Sequence, residues 1–422
     1  MTLQTLLIVW IAILLCACRP DTTDQSTANT GQQRVSPETE ITIIAFGDSG
    51  YHPDYLHKKY FNRPFTTEQD FIDDYKRKWL ESDRPIDEFA VPTLEFHTAS
   101  GSYIPKSSLY TVANAMTSHC RQNTCDFAVM VGDNIYPDGA TLGADGIDDA
   151  TRFRDLLSLP FAAMGNNQPH FKIYATLGNH DWHTSRAGAM AQVEFMRNND
   201  MFYMDGLFYS VQPPAANGQL ELFVVDTEML LAGTKVKKAL RNKDGSEKNH
   251  DMYKTPRASA MPQTDEEKAM VEWLARALQT STASWKVVVG HHPLWSAGGA
   301  KFEQARALRR LIRPLLCEHA DAYLAGHEHT LEVYADSCSD IGGVNRNKDL
   351  VQIVSGAAGK KRSVHSPFVA QQNLAYPQRK MLFAEGMIAG FAQISMKQGV
   401  IDVAMFIAED DGSIKQTFTH TF

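Results

Sequence analysis

The sequence predicts an α/β sandwich. Three observations carry that expectation. Short runs rich in Val and Ile recur along the chain, amphipathic helical patterns lie between several of them, and five of the runs end in glycine followed at once by a polar donor. The runs are Ile41–Phe46, Phe127–Val131, Ile173–Leu177, Leu222–Val225, Lys286–Val289, Ala322–Ala325 and Leu350–Val354, each about the length of a buried strand. Thr264 and Glu267 form a capping box ahead of Met270, Trp273, Leu274 and Leu278, which share one helix face. Leu308, Leu311, Ile312 and Leu315 repeat that spacing. From Gly390 to Phe422 the pattern changes to strand–turn–strand–turn–strand, with turns at Lys397-Gln398-Gly399 and Asp410-Asp411-Gly412. Tyr51 to Leu109 reads as a long insertion between the first two strands. Within it Phe71–Leu80 has a helical pattern, and the rest is polar with several prolines and aromatics. Such an insertion either walls a substrate mouth or makes a solvated excursion.

With 422 residues the chain can form one enlarged domain or two. Hydrophobic residues make up 43% and charged residues 21%, which excludes a disordered chain and fits a globular one. A net charge of −8 offers no counterion-release attraction, so nucleic acid is not an expected partner. Leu6 to Leu15 is an unbroken apolar run, too short to span a bilayer comfortably and the length of a signal h-region. It ends in Leu15-Cys16-Ala17-Cys18, which resembles a bacterial lipoprotein box with Cys18 acylated, although the first four residues carry no Lys or Arg. An ordinary cleaved signal and an uncleaved anchor are the alternatives. Residues 1–18 are therefore read as a signal peptide, and residues 19–40, poor in apolar side chains, as a flexible tether. The expected location is exported, as a periplasmic, outer-membrane or cell-surface lipoprotein that meets the membrane only through its lipid. Beyond the leader, Cys120, Cys125, Cys317 and Cys338 permit the disulfides Cys120–Cys125 and Cys317–Cys338, or remain buried thiols.

The glycine-terminated runs carry the chemistry. Ile41–Phe46 leads into Gly47-Asp48-Ser49-Gly50, and Phe127–Val131 into Gly132-Asp133-Asn134-Ile135-Tyr136. Ile173–Leu177 leads into Gly178-Asn179-His180-Asp181, Lys286–Val289 into Gly290-His291-His292-Pro293, and Ala322–Ala325 into Gly326-His327-Glu328-His329. Glycine allows a sharp turn off a strand, and ligands collect at the carboxyl ends of strands in α/β sheets. Two Asp, one Asn, one Tyr and three His make an oxygen/nitrogen donor set without thiolate, which suits Fe, Zn or Mn. The set is too large for one ion and fits two ions sharing a carboxylate roughly 3.5–4 Å apart. Each motif alone is weak, since a Gly-Asp after a strand is commonly a turn or cap and a lone His commonly structural. Five in this order are not.

This ordered set resembles the calcineurin-like metallophosphoesterases, and Asp133-Asn134-Ile135-Tyr136 is similar to the motif that marks the purple acid phosphatases, especially the small tartrate-resistant type. The resemblance extends to Leu222–Thr227, Trp295-Ser296 and Ser355–Gly359. It implies a four-layer α/β/β/α sandwich of two mixed sheets flanked by helices, forming a catalytic domain over residues 41–422 with the insertion at about 51–109. It implies that Asp48, Tyr136 and His329 hold Fe(III), that Asn179, His291 and His327 hold a divalent Fe, Zn or Mn, and that Asp133 bridges the two. His180 then contacts the phosphate, stabilising charge or helping the leaving group take a proton. Asp181 is expected to orient a neighbour, and Asp138 and Asp226 to be structural. The implied activity is acid phosphatase hydrolysis of phosphate monoesters by a metal-bound hydroxide, in a monomer acting on a small phosphorylated substrate.

There are three departures. Ser49 stands where the mammalian-type enzymes have Trp. The segment Leu294 to Ala300 lacks a second substrate-facing histidine, for which His292, His183 and His365 are weak substitutes. The insertion is longer than in the small enzymes. Alternative functions are a phosphodiesterase or nucleotide or pyrophosphate hydrolase on the same centre, a non-catalytic surface-binding lipoprotein, and an iron-dependent redox protein. Retention of all seven donors speaks against a relic.

Overall fold

The computed structural model describes residues 40–422 apart from 56–64, 66, 83, 94–106, 166–167, 169, 235, 238–252, 255–256, 299–301 and 345. The expected leader over 1–18, and all of the tether except Glu40, lie outside the described residues. Among the described residues no helix is long and apolar enough to cross a membrane.

In chain order the strands are β1 (Ile41–Phe46), β2 (Phe127–Met130), β3 (Ile173–Ala175), β4 (Phe202–Tyr203), β5 (Phe208–Val211) and β6 (Leu220–Val225). A short ribbon, β7 (Val236–Lys237) with β8 (Tyr253–Lys254), stands apart. The remaining strands are β9 (Trp285–Val289), β10 (Ala322–Ala325), β11 (Leu331–Asp336), β12 (Leu350–Ser355), β13 (Arg379–Glu385), β14 (Gly390–Lys397), β15 (Val400–Ala408) and β16 (Ile414–Thr421). They form two seven-stranded mixed sheets, ordered β16-β15-β14-β1-β2-β3-β4 and β13-β11-β12-β10-β9-β6-β5. β1, β2, β3 and β4 run parallel, as do β6, β9, β10 and β12. The other pairings in both sheets are antiparallel. The sheets meet face to face, with Ser355 Oγ donating to Ala45 O at 2.7 Å and Tyr209 Oη to Ala175 O at 2.9 Å. Helices cover the outer faces. Leu109–Gln122 packs on β14 and β15, and Met270–Thr280 packs on β6. This is the expected four-layer sandwich.

The layering explains why the central strands read as unbroken apolar runs. Every residue of β1, β10 and β12 is buried, because each strand lies between a helix layer and the opposite sheet. Ile43, Ile44 and Phe46 are fully buried, and each such side chain contributes about 1.5–3 kcal/mol. The outer strand β16 instead exposes five of its eight residues. The helix read over Phe71–Leu80 extends to Glu68–Glu81, because Thr67 and Asp70 close a capping box one turn earlier. The capping box at Thr264 forms, but its helix breaks at Ala269, leaving Asp265–Lys268 and Met270–Thr280 as separate pieces. Both permitted disulfides are closed, with Cα–Cα separations of 5.3 Å for Cys120–Cys125 and 5.9 Å for Cys317–Cys338.

Candidate metal centre

All five glycine-terminated turns lie at one rim of the sandwich, three off the first sheet (β1, β2, β3) and two off the second (β9, β10). The expectation of a single convergence point is met by two facing sheets rather than by one. Tyr136 Oη lies 3.0 Å from Asp48 Oδ1, 2.8 Å from Asp133 Oδ2 and 3.1 Å from His329 Nε2. His329 Nε2 is also 3.5 Å from Asp48 Oδ1. On the other side of Asp133, its Oδ1 is 3.4 Å from His291 Nε2, which faces His327 Nδ1 at 3.1 Å. Ligand atoms of Asp133, His291 and His327 all fall within 4.8 Å of one another. The turn bearing Asn179 rests on the same carboxylate, since His180 N donates to Asp133 Oδ1 at 2.8 Å.

The backbone conformation of these turns is uneven. Of the five glycines, only Gly132 takes a positive φ, of 92°. The left-handed conformation falls on the donors themselves: Asp48 at φ 55°, Asp133 at 53° and His327 at 69°. A non-glycine residue held there costs about 1–3 kcal/mol, and such strain persists where surrounding structure over-determines it, characteristically at functional sites. The glycines serve close approach. A Cβ on Gly326 would sit 2.6 Å from Asp48 Oδ2, and one on Gly178 would collide with Asp133.

The arrangement has more acceptors than protons. One phenol proton faces two carboxylates and a ring nitrogen of His329. Asn179 Oδ1 is buried and takes no hydrogen bond. His291 Nδ1–H donates to Val131 O at 2.8 Å, because a carbonyl can only accept, so Nε2 is the nitrogen turned to Asp133. Burial opposes charge on His291, but the carboxylates of Asp133 and Asp48 outweigh it and hold the imidazole up to about 10. Burial drives Asp48 and Tyr136 well above their ordinary values, and keeps His329 well below its own, with the charges of Arg362 and Lys360 adding to the effect. An electron-rich pocket of this kind, short of internal donors, fits two cations bridged by Asp133.

Supporting contacts tie the turns together. Asp181 accepts from Asn134 N and Ile135 N and from Gly178 N at 2.7 Å, joining the second turn to the third. Its carboxyl is pushed up to about 7 by burial and by the charge of Asp133. Asp226 caps the helix Thr227–Ala232 and accepts from Trp182 Nε1. His180 Nδ1–H donates to Pro137 O at 2.6 Å, and its ring packs 4.3 Å from both Tyr136 and His183. Burial holds His180 down to about 3. Of the three substitute histidines, His183 packs against His180 with its ring tilted by 45°. His292 is buried against Thr227 and Glu228, and His365 caps the helix Ser366–Ala375. Ser49 is fully buried.

A model of the calcineurin-like phosphoesterases matches residues 42–331, a span that holds all seven donors. The chain belongs to that family. Among curated relatives, this calcineurin-like phosphoesterase is 26% identical over 254 residues to mouse tartrate-resistant acid phosphatase type 5, covering 58% of this chain and 65% of that protein. It is 28% identical over 238 residues to purple acid phosphatase 17 of Arabidopsis thaliana, covering 56% and 59%. The aligned region thus spans less than two thirds of either relative. Two solved structures share the fold. GAP50, the anchor in the inner membrane complex of Plasmodium, has a TM-score of 0.52 at 15% identity, covering 91% of this chain and 88% of its own. The purple acid phosphatase PPD1 of yellow lupin seeds has a TM-score of 0.51 at 12% identity, covering 91% and 54%.

The matched motifs end at Ser355–Gly359, and the three cations just beyond them were assigned no role from the sequence. Lys360, Lys361 and Arg362 line a cavity of about 260 Å³ together with His329 and with Tyr75, Trp79, Arg84 and Phe89 of the insertion. Three consecutive cations after a matched motif were a readable signal. Arg84, inside the insertion, had none. Residues of the insertion therefore line a cavity that reaches His329.

Proposed function

We propose that this chain is a metal-dependent phosphatase of the purple acid phosphatase kind, hydrolysing phosphate monoesters. The observation that carries the reading is Tyr136 Oη within 3.1 Å of Asp48, Asp133 and His329 at once. Asp48, Asp133, Tyr136 and His329 would hold one ion, and Asp133, Asn179, His291 and His327 the other. The phenolate is a hard donor that suits Fe(III), and the nitrogen-rich second set suits divalent Fe, Zn or Mn. Ions so held supply Lewis-acid polarisation of the phosphate and a water acidic enough to attack phosphorus. The protein's own part is orientation. Val131 O fixes the tautomer of His291, the Asp181 carboxylate locks two ligand turns together, and the strained backbone aims three donors inward. We assign His180 the contact with phosphate. With Nδ1–H spent on Pro137 O, its Nε2 offers a lone pair in the neutral ring, which suits a protonated phosphate oxygen better than a leaving alkoxide.

The test is metal analysis with a visible spectrum, beside assays on p-nitrophenyl phosphate and its bis ester. We expect iron, a broad tyrosinate-to-iron band that disappears in Tyr136→Phe, and faster turnover of the monoester. Iron-loaded protein with no such band would overturn the subgroup, and preference for the bis ester would overturn the substrate class.

We also propose export with a lipid on Cys18, from the apolar run ending in Leu15-Cys16-Ala17-Cys18. Metabolic labelling with a fatty acid should mark the protein and leave Cys18→Ser unlabelled. Labelling that survives the substitution would refute the anchor.

A further inference from the structure

The cavity beside His329 has a chemical character of its own. One wall is apolar, formed by Tyr75, Trp79, Phe89, Ala90 and Pro92. The others carry Arg84, Lys360, Lys361 and Arg362. These cations differ in how they are satisfied. Arg362 is engaged, since Nη1 pairs with Glu328 at 2.8 Å and its backbone N donates to His329 O at 3.1 Å. It thereby fixes the loop bearing His327 and His329. Lys360 lies over the rings of Tyr51 and Tyr136, at 4.8 and 5.3 Å from their centroids. Lys361 is anchored through its backbone N, which donates to Thr93 Oγ1 at 2.9 Å.

Arg84 stands out. Its guanidinium stacks 3.5 Å over Trp79, and Nη2 donates to Val364 O. Its Nε is buried with no hydrogen-bond partner, and among the described residues no carboxylate forms an ion pair with it. Burial lowers it to about 10, and the charge of Glu88 offsets only part of that. A half-buried guanidinium without an ion-pair partner is costly, and an anion in the cavity would satisfy it through the fork geometry that suits phosphate. The cavity also opens from a candidate metal ligand, so an anion held there lies beside the reacting phosphate.

We infer that the insertion and the Lys360–Arg362 segment build a subsite for a second phosphate group of the substrate, held by Arg84 and Lys361 with Lys360 nearer the ions. This rests on the hydrolase reading and sharpens it. The substrate class is a small molecule with two phosphate groups, one at the ions and one in the subsite. Its organic remainder lies against the apolar wall. Hydrolysis forms one P–O bond from water and breaks the bond between the reacting phosphorus and its leaving oxygen. The two protons of water end on the released orthophosphate and the leaving group.

The experiment uses the full metal-loaded chain with p-nitrophenyl phosphate as the single-phosphate reference. The two-phosphate probes are inorganic pyrophosphate, a nucleoside diphosphate and a sugar bisphosphate. At least one of them should show a higher kcat/KM than the reference, and which one reports the spacing between the phosphates. Arg84→Gln and Lys361→Ala should each lower the ratio of two-phosphate to single-phosphate kcat/KM about tenfold, through KM, as expected for the loss of one charge-assisted contact. Thermal unfolding confirms that both variants are folded. An unmoved ratio in folded variants, or no two-phosphate probe above the reference, overturns the inference. A chain inactive on every probe overturns the hydrolase reading instead. Equilibrium dialysis of pyrophosphate then tests the subsite alone, and equal binding by wild type and Arg84→Gln overturns it.

Discussion

Asp48, Asp133 and His327 occupy left-handed backbone at the ends of central strands, whereas Tyr75, Trp79 and Arg84, which line the cavity beside His329, come from one helix and the residues just after it. The ligand turns are enclosed by two sheets and cross-linked by buried carboxylates such as Asp181. The wall is attached more lightly. Among the described residues it is held to the Gly359–Ser366 segment by contacts such as Arg84 to Val364, Lys361 to Thr93 and Ser366 to Glu88. One side can store strain because its surroundings over-determine it, and the other can change composition at little cost to the fold. On the proposed function, the difference teaches that chemistry and substrate choice are separable. Changes among the strand ends should remove the reaction, while changes in the wall should retune it.

The largest effect is expected from Asp133→Ala, which removes the carboxylate shared by both halves of the centre. Metal content should fall to background, and kcat/KM should drop by more than about a hundredfold, beyond what loss of an outer supporting group costs. Metal analysis and a p-nitrophenyl phosphate assay check it, and full activity would break the comparison outright. Asp181→Ala leaves every proposed ligand in place but unties Asn134 and Ile135 from Gly178. Metal affinity or activity should fall by about 10- to 100-fold, read from metal titration of the apo form. An unchanged titration would show that the turns hold their geometry without that tie. The smallest effect belongs to the wall. Thr67→Ala removes the N-cap of the helix Glu68–Glu81 and should cost that helix about 1 kcal/mol, visible as faster hydrogen exchange of its first-turn amides. Hydrolysis of p-nitrophenyl phosphate should continue. Its loss would mean that the wall and the ligand turns form one unit.

Legibility in the sequence tracked locality. β1 and β10 match their predicted limits because a central strand buried on both faces writes an unbroken apolar run. β11 and β13 were not foreseen. β11 buries Glu332, Tyr334 and Asp336 among its apolar residues; Glu332 accepts from its neighbours Thr330 and Tyr334, but also from the distant Ala297 N, and Asp336 depends on Arg313, which reaches it at 2.7 Å. No local pattern announces such a partner. The glycines were read as letting the chain turn off each strand; what only the structure adds is that a Cβ at any of the five would press on a group from elsewhere in the fold. The insertion's helix was visible from its spacing, but its place against Lys360 and Arg362 was not.

By itself the sequence determined the donor types, their order and their position just past strand ends. Strand periodicity, turn glycines and side-chain chemistry are all local properties. The tertiary structure alone decided that two facing sheets bring Asp48, Asp133 and Tyr136 onto His291, His327 and His329, that the strain falls on the donors, and that Arg84 faces the same cavity. Each depends on packing between segments far apart in the chain, where burial and close approach select one arrangement from many that the same local patterns would allow.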